Sequence, residues 1–260
     1  MTPQQPAAAI RHAVLLKRPE QFQPAELARA LAAIRKVPFQ DALLRAKSCW
    51  GIVEERMGEE AARDLAARLE EAGLGAAAVP EDRIAVLPPT RLAAKEDFES
   101  APWARAGLLA AAGFCKTESR TVTVREGPGL AQKAASLGIM MATGLPIRIG
   151  PKQSEVHRTV ESSDLVFYLD LAFRGPEQRL RIDAQDFDYS LLGERMAYGT
   201  MTNFRQLVAD AAARSPQALR SRGARTILEG RPLREMGYES LADLERESRW
   251  LLTLQALSLA

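Results

Sequence analysis

The amino-acid sequence predicts an α+β fold in two small domains. Three observations carry that prediction. Hydrophobic residues fill 47% of the 260 positions and charged residues 26%, the balance of a chain that buries a sizeable core. Before residue 80, short strand-like apolar runs alternate with segments of helical period. After residue 103, an alternating hairpin pattern is followed by helical segments. Between these regions lie Pro80, Pro88 and Pro89 and the charged stretch Lys95-Glu96-Asp97, which is linker chemistry. The expected division is a first domain over residues 10–80, a linker over 81–102 and a second domain over 103–260.

The first domain reads strand, helix, helix, strand, helix, strand. Residues 1–9 are rich in Pro, Gln and Ala and read as a frayed tail. Residues 12–17 form a short apolar run. Pro24 then stands where a helix begins, with Glu26 in its first turn, and Leu27, Leu31 and Ile34 recur at helical spacing. Val37-Pro38 breaks that helix. A second runs over residues 39–47 and Trp50 to Val53 is extended. The third opens at Gly58-Glu59-Glu60, with Ala61, Leu65 and Leu69 inward, and closes at Gly73. Residues 76–79 are the last strand of the set.

In the second domain, residues 106–114 are small and apolar, and residues 121–124 alternate like a strand. Gly127-Pro128-Gly129 reads as a turn, residues 130–143 as a helix, and residues 146–149 as a strand. Residues 165–171 are the strongest strand pattern in the chain. A turn at Arg174-Gly175-Pro176-Glu177 returns it through residues 179–183, predicting a hairpin with one wet face. Helices are expected over residues 203–213, 219–228 and 240–259.

Residues 25–80 resemble the C-terminal domain of the bacterial ribosomal stalk protein. The pattern is a helix ending Ala32-Ala33-Ile34-Arg35, a second in Asp41-Ala42-Leu43-Leu44-Arg45-Ala46-Lys47, then Gly58-Glu59-Glu60-Ala61 and Leu69-Glu70-Glu71-Ala72-Gly73 ahead of a strand. The adaptor subunit that feeds substrates to Clp proteases is similar to the same small fold. The resemblance implies a compact α+β sandwich and an adaptor-like role. In the stalk family a glycine-rich basic turn between the first two helices helps touch translation GTPases. Here that turn is Val37-Pro38-Phe39-Gln40, without glycine, so no binding residue carries over. No family is recognised in the second domain.

Composition sets limits on function. Lys and Arg total 35 against 33 Asp and Glu, a formal charge of +2, which excludes a wholly basic nucleic-acid binder and a wholly acidic chain. The start of the sequence lacks the pattern of a secretory signal. No run reaches the ~18 apolar residues of a membrane span. Cys49 and Cys115 are far apart and form no CxxC pair, so buried reduced thiols and a cytoplasmic location are expected. His12 and His157 have no second histidine or cysteine at ligand spacing and read as surface residues. Asp183, Asp186 and Asp188 fail the calcium-loop pattern, because Leu191 and Ala197 stand where glycine and glutamate belong. They read as a solvated strand end, with Asp188 capping a turn beside Ser190. GxSxG and phosphate-loop motifs are both missing. The expectation is a protein without catalytic residues, cofactor or metal.

Two features remain as candidate binding sites. Residues 214–234 hold six arginines against Glu229, and residues 235–247 hold five acidic residues against Arg246. Arg214, Arg220, Arg222 and Arg225 are the candidate anion-binding residues. Two readings stay open: the neighbouring acidic run neutralises them within the fold, or they meet an anionic partner. Trp250 and Leu254 sit in an apolar stripe with Leu241, Leu244, Leu251 and Leu257. That stripe must be covered by its own domain or by a partner chain. The function expected is a non-enzymatic protein-protein interaction or adaptor protein. The alternative is nucleic-acid or anionic-surface binding through residues 214–234.

Overall fold

The structure, a computed structural model, describes residues 10–126, 154–175 and 179–259. The protein is α+β. Its first elements are β1 (His12–Leu16), α1 (Pro24–Arg35), α2 (Phe39–Cys49), β2 (Ile52–Met57), α3 (Glu59–Glu71) and β3 (Ala76–Pro80), in the order the sequence predicts. They form a three-stranded antiparallel sheet, β2-β1-β3. The middle strand carries the unbroken apolar run and is buried along its whole length. Pro24 occupies the first turn of α1, which ends at Lys36 in the left-handed conformation ahead of Val37-Pro38. Gly58 flanks the start of α3 and Gly73, at φ 81°, follows its end.

The remaining elements are β4 (Thr90–Leu92), α4 (Lys95–Glu99), β5 (Ala106–Glu126), β6 (Ser154–Phe173), β7 (Arg179–Asp183), α5 (Thr200–Arg214), β8 (Leu219–Arg220), α6 (Arg222–Leu228) and α7 (Leu241–Ala256). The strands order as β4-β7-β6-β5-β8. β4 runs parallel to β7 and β8 parallel to β5, while β6 and β7 are antiparallel. The turn expected at 127–129, the helix at 130–143 and the strand at 146–149 lie outside the described residues, as do the tail 1–9 and residues 176–178 of the hairpin turn.

Contacts divide the chain into two units, and the division does not fall at 81–102. The described residues of 1–114 and 165–260 form one compact unit, and the described residues of 115–164, in β5 and β6, form the other. In the first unit one hydrophobic core takes in Leu15 and Leu31 from the first sheet and its helices, Leu169 and Ile182 from the second sheet, and Trp250 and Leu254 from α7. Trp250 Nε1 donates to the carbonyl of Leu16 at 2.7 Å, and Trp50 Nε1 donates to Asp243 at 3.0 Å. Arg249 pairs with Glu55 at 2.7 Å. The stretch with linker chemistry is itself packed: Ile84 and Phe98 are buried, and the amide of Ala85 donates to Thr253 Oγ1 at 2.9 Å. Proline and charge mark the loss of regular structure there, not a break in the core.

The hairpin also departs from expectation, because its wet face is dry. Arg179 and Arg181 are buried around Asp170 of β6, which accepts from them at 2.7–2.9 Å. Glu245 of α7 and Thr90 of β4 close over the pair. Alternating charge reads as a solvent face only when nothing of opposite charge covers it, and here a distant helix does. Burial pulls the Arg181 guanidinium towards neutrality, but Asp170 and Glu245 more than offset this and hold its pKa above the usual value.

Candidate anion-binding cleft

The arginine run does not form one face. Residues 219–228, expected as a helix, split into β8 and α6, with the buried Ser221 at the junction. Ser221 donates its amide to the carbonyl of Leu109 at 3.0 Å and accepts from the amide of Ala111 at 3.0 Å, so it is tied to β5. The same hydroxyl caps α6 by accepting from Ala224 at 3.2 Å. Its two neighbours are thereby separated. Arg220, at the end of β8, lines a cleft of about 480 Å³ with Arg225. Arg222, the first residue of α6, lines a different cavity. Arg214 lies over the rings of Phe98 and Trp103, with its guanidinium carbon 5.3 and 5.6 Å from their centroids.

The acidic run does not neutralise the arginines as one block. Glu245 bonds Arg179 and Arg181, Asp243 bonds Trp50 and Arg246, and Glu247 accepts from Tyr238 and the backbone amide of Arg222. Among the described residues the one ion pair that joins the two runs is Arg231–Glu235, at 3.4 Å. Charges adjacent in sequence were sent to different partners by the turn at Pro232 and the start of α7.

Arg220 and Arg225 meet Lys17 and Arg18 in the cleft. These last two follow β1 directly, so the loop into α1 brings them in from the other end of the chain. Arg225 donates to the carbonyls of Arg220 at 3.0 Å and Pro19 at 3.3 Å. These bonds fix the guanidinium without cancelling its charge. Arg220 has no carboxylate partner among the described residues. Arg18 bonds the neutral Gln21 at 3.3 Å, and Lys17 pairs with Glu70. Glu20 also lines the cleft, and Leu219, Leu251 and Leu259 supply apolar wall. The arrangement presents fixed positive charge beside an apolar surface.

The other sequence candidates are placed as follows. Trp250 and Leu254 are fully buried in the core of their own chain, so they are not an exposed docking stripe. His12 is buried, not a surface residue, and its Nδ1 has no hydrogen-bond partner among the described residues. The side chain of His157 lies outside the described residues. Cys49 is half-buried, and burial pushes its thiol up to about 11, far from nucleophilic at neutral pH. Cys115 is exposed, against expectation. Asp183 accepts from the amide of Gln185 and Asp188 from the amide and hydroxyl of Ser190. Those bonds hold the Asp188 carboxyl below its usual range. Among the described residues no three or more His, Cys, Asp or Glu side chains are grouped to hold a metal, and no helix is long and apolar enough to cross a membrane.

Sequence reasoning missed Lys17 and Arg18. The available signal was two cations followed by Pro19, which marks a loop leaving a buried strand, but nothing local pairs that loop with residues 220–225. No family model, curated protein or solved structure matches this chain.

Proposed function

We propose that this chain is a non-enzymatic interaction protein of the adaptor type, which takes an acidic segment of another protein into the cleft of Lys17, Arg18, Arg220 and Arg225. One observation carries the reading: the cations there come from two distant stretches of the chain, and neither Arg220 nor Arg225 forms an ion pair among the described residues. A carboxylate entering such a site gains charge-assisted hydrogen bonds. The leucines beside it favour a ligand that alternates acidic and apolar side chains. A nucleic acid is less well served, because no aromatic side chain lines the cleft on which a base could stack.

The test is fluorescence anisotropy of the full chain with a labelled peptide of alternating Glu and Leu, against the same peptide with Gln for Glu. Selective binding of the acidic peptide, lost in an Arg18→Glu, Arg220→Glu variant, supports the reading. Equal binding of both peptides, or no loss in the variant, overturns it. Tight, steeply salt-dependent binding of single-stranded DNA without peptide binding would favour the polyanion reading instead.

A further inference from the structure

A second concavity, of about 800 Å³, lies where α2, α7 and the loop before α7 meet. It owes nothing to the cleft described above. Phe22, Trp50 and Tyr238, all three largely buried, are among the residues that line it. Trp50 and Tyr238 are stacked, with centroids 4.7 Å apart and planes inclined by 21°. Both rings are held from behind. Trp50 Nε1 donates to Asp243 at 3.0 Å, and the Tyr238 hydroxyl donates to the buried Glu247 while accepting from the amide of Gly223 at 3.1 Å. A wall fixed by buried hydrogen bonds does not collapse into the space it borders, so the cavity is preformed.

Its charged residues are unequally satisfied. Asp243 is saturated: it accepts from the amides of Glu239 and Ser240, both at 3.0 Å, and from Arg246 at 3.1 Å. Lys47 and the guanidinium of Arg222 form no ion pair or hydrogen bond among the described residues, although Arg222 lies in the field of the buried Glu247, and both line the cavity. Glu239, exposed at its lip, is the one acid there besides Asp243. Two cations outside any ion pair against one exposed carboxylate leave a net positive charge, which suits a ligand with one anionic group and not a polyanion. The volume falls in the range of small-molecule sites, roughly 300–1,000 Å³. We infer that this cavity binds a small ligand with a flat aromatic ring and one anionic group, the ring against Phe22, Trp50 and Tyr238 and the anion between Lys47 and Arg222.

Two probes distinguish the sources of such chemistry: adenosine monophosphate for nucleotides and indole-3-acetate for aromatic carboxylates. Isothermal titration calorimetry on the full chain at low salt should detect at least one of them at millimolar concentration or below. Adenosine and indole-3-acetamide, which keep the ring and lose the charge, should bind more weakly. Lys47→Gln and Arg222→Gln should each weaken the bound probe about tenfold, the loss of one charge-assisted hydrogen bond. Arg63→Gln, on the exposed face of α3, should leave it unchanged. If Arg222→Gln fails to fold, the exposed Lys47→Gln still decides. No binding of either probe, or binding indifferent to Lys47→Gln, overturns the inference.

Discussion

Gly51 and Trp250 offer the sharpest test of the shared core. Gly51 precedes β2 with φ 89°, and a Cβ built on it would stand 2.0 Å from Cδ2 of the Trp250 indole. The ring cannot retreat, since it is fully buried and its Nε1 is bonded to the carbonyl of Leu16. Gly51→Ala therefore meets two penalties: about 1–2 kcal/mol for a left-handed backbone at a residue with a side chain, and about 1–3 kcal/mol for overpacking. The expected loss is about 2–5 kcal/mol in urea unfolding followed by circular dichroism and tryptophan fluorescence. Trp250→Ala alone should cost about 3–5 kcal/mol. In the double variant the clash disappears and only the backbone penalty remains. The two losses should then fall short of additivity by about 1–3 kcal/mol. A Gly51→Ala variant within about 0.5 kcal/mol of wild type, or strictly additive losses, would refute the packing of α7 on the first sheet.

Three further outcomes are expected. Burial raises the pKa of Glu247 above its ordinary value, so its share of stability is present below the unfolded-state pKa and declines as pH rises through the folded one; Glu247→Gln should flatten the fall in melting temperature between acid and neutral pH, and an unchanged profile would count against it. Asp170→Ala strands two buried arginines with Glu245 as their remaining acid and should cost about 3–5 kcal/mol by urea titration, whereas a loss under 1 kcal/mol would contradict the buried network (about the worth of a surface pair). The buried Asn203 both donates to and accepts from the backbone of Ala197, at 2.9 and 2.7 Å, and Asn203→Ala should cost about 1–3 kcal/mol and speed proteolysis beside the exposed Met196 and Tyr198; unaltered cleavage would mean the loop is held otherwise.

The first six elements were legible because their signals are local. Apolar period switches between two and 3.6, and Pro24, Val37-Pro38, Gly58 and Gly73 punctuate the switches. What could not be read is which surface covers which. Arg179 and Arg181 alternate with Leu180 and Ile182 exactly as exposed residues do until Glu245 arrives from α7. The stripe of Trp250 and Leu254 was read correctly as a surface that must be covered, but the pattern of one helix cannot say whether its own chain supplies the cover. Proline density at 80–102 marks an irregular segment and carries no information about whether Phe98 inside it is buried. Half of the cleft was visible in Arg220 and Arg225, and the other half sits some two hundred positions earlier at Lys17 and Arg18.

Ser221 links the two proposed sites and gives a way to separate them. It sits at the end of β8 with its amide and hydroxyl both committed to β5, and the same hydroxyl caps α6. Because that residue is pinned, Arg220 enters the cleft while Arg222 enters the cavity. Removing the hydroxyl strands the buried amide of Ala111 and uncaps α6, at about 2–4 kcal/mol in total. Ser221→Ala should therefore lower the urea midpoint and weaken both the acidic peptide and the aromatic anion, since neither arginine keeps its origin. Arg220→Gln should weaken only the peptide and Arg222→Gln only the aromatic anion, because the two side chains line separate concavities. Measured together, the three variants distinguish one diffuse basic surface from two sites. A diffuse surface predicts that either arginine change weakens both probes in proportion to lost charge, with the effect fading at high salt. If Arg220→Gln and Arg222→Gln prove interchangeable in this way, the separation at Ser221 has no functional consequence and both assignments fall.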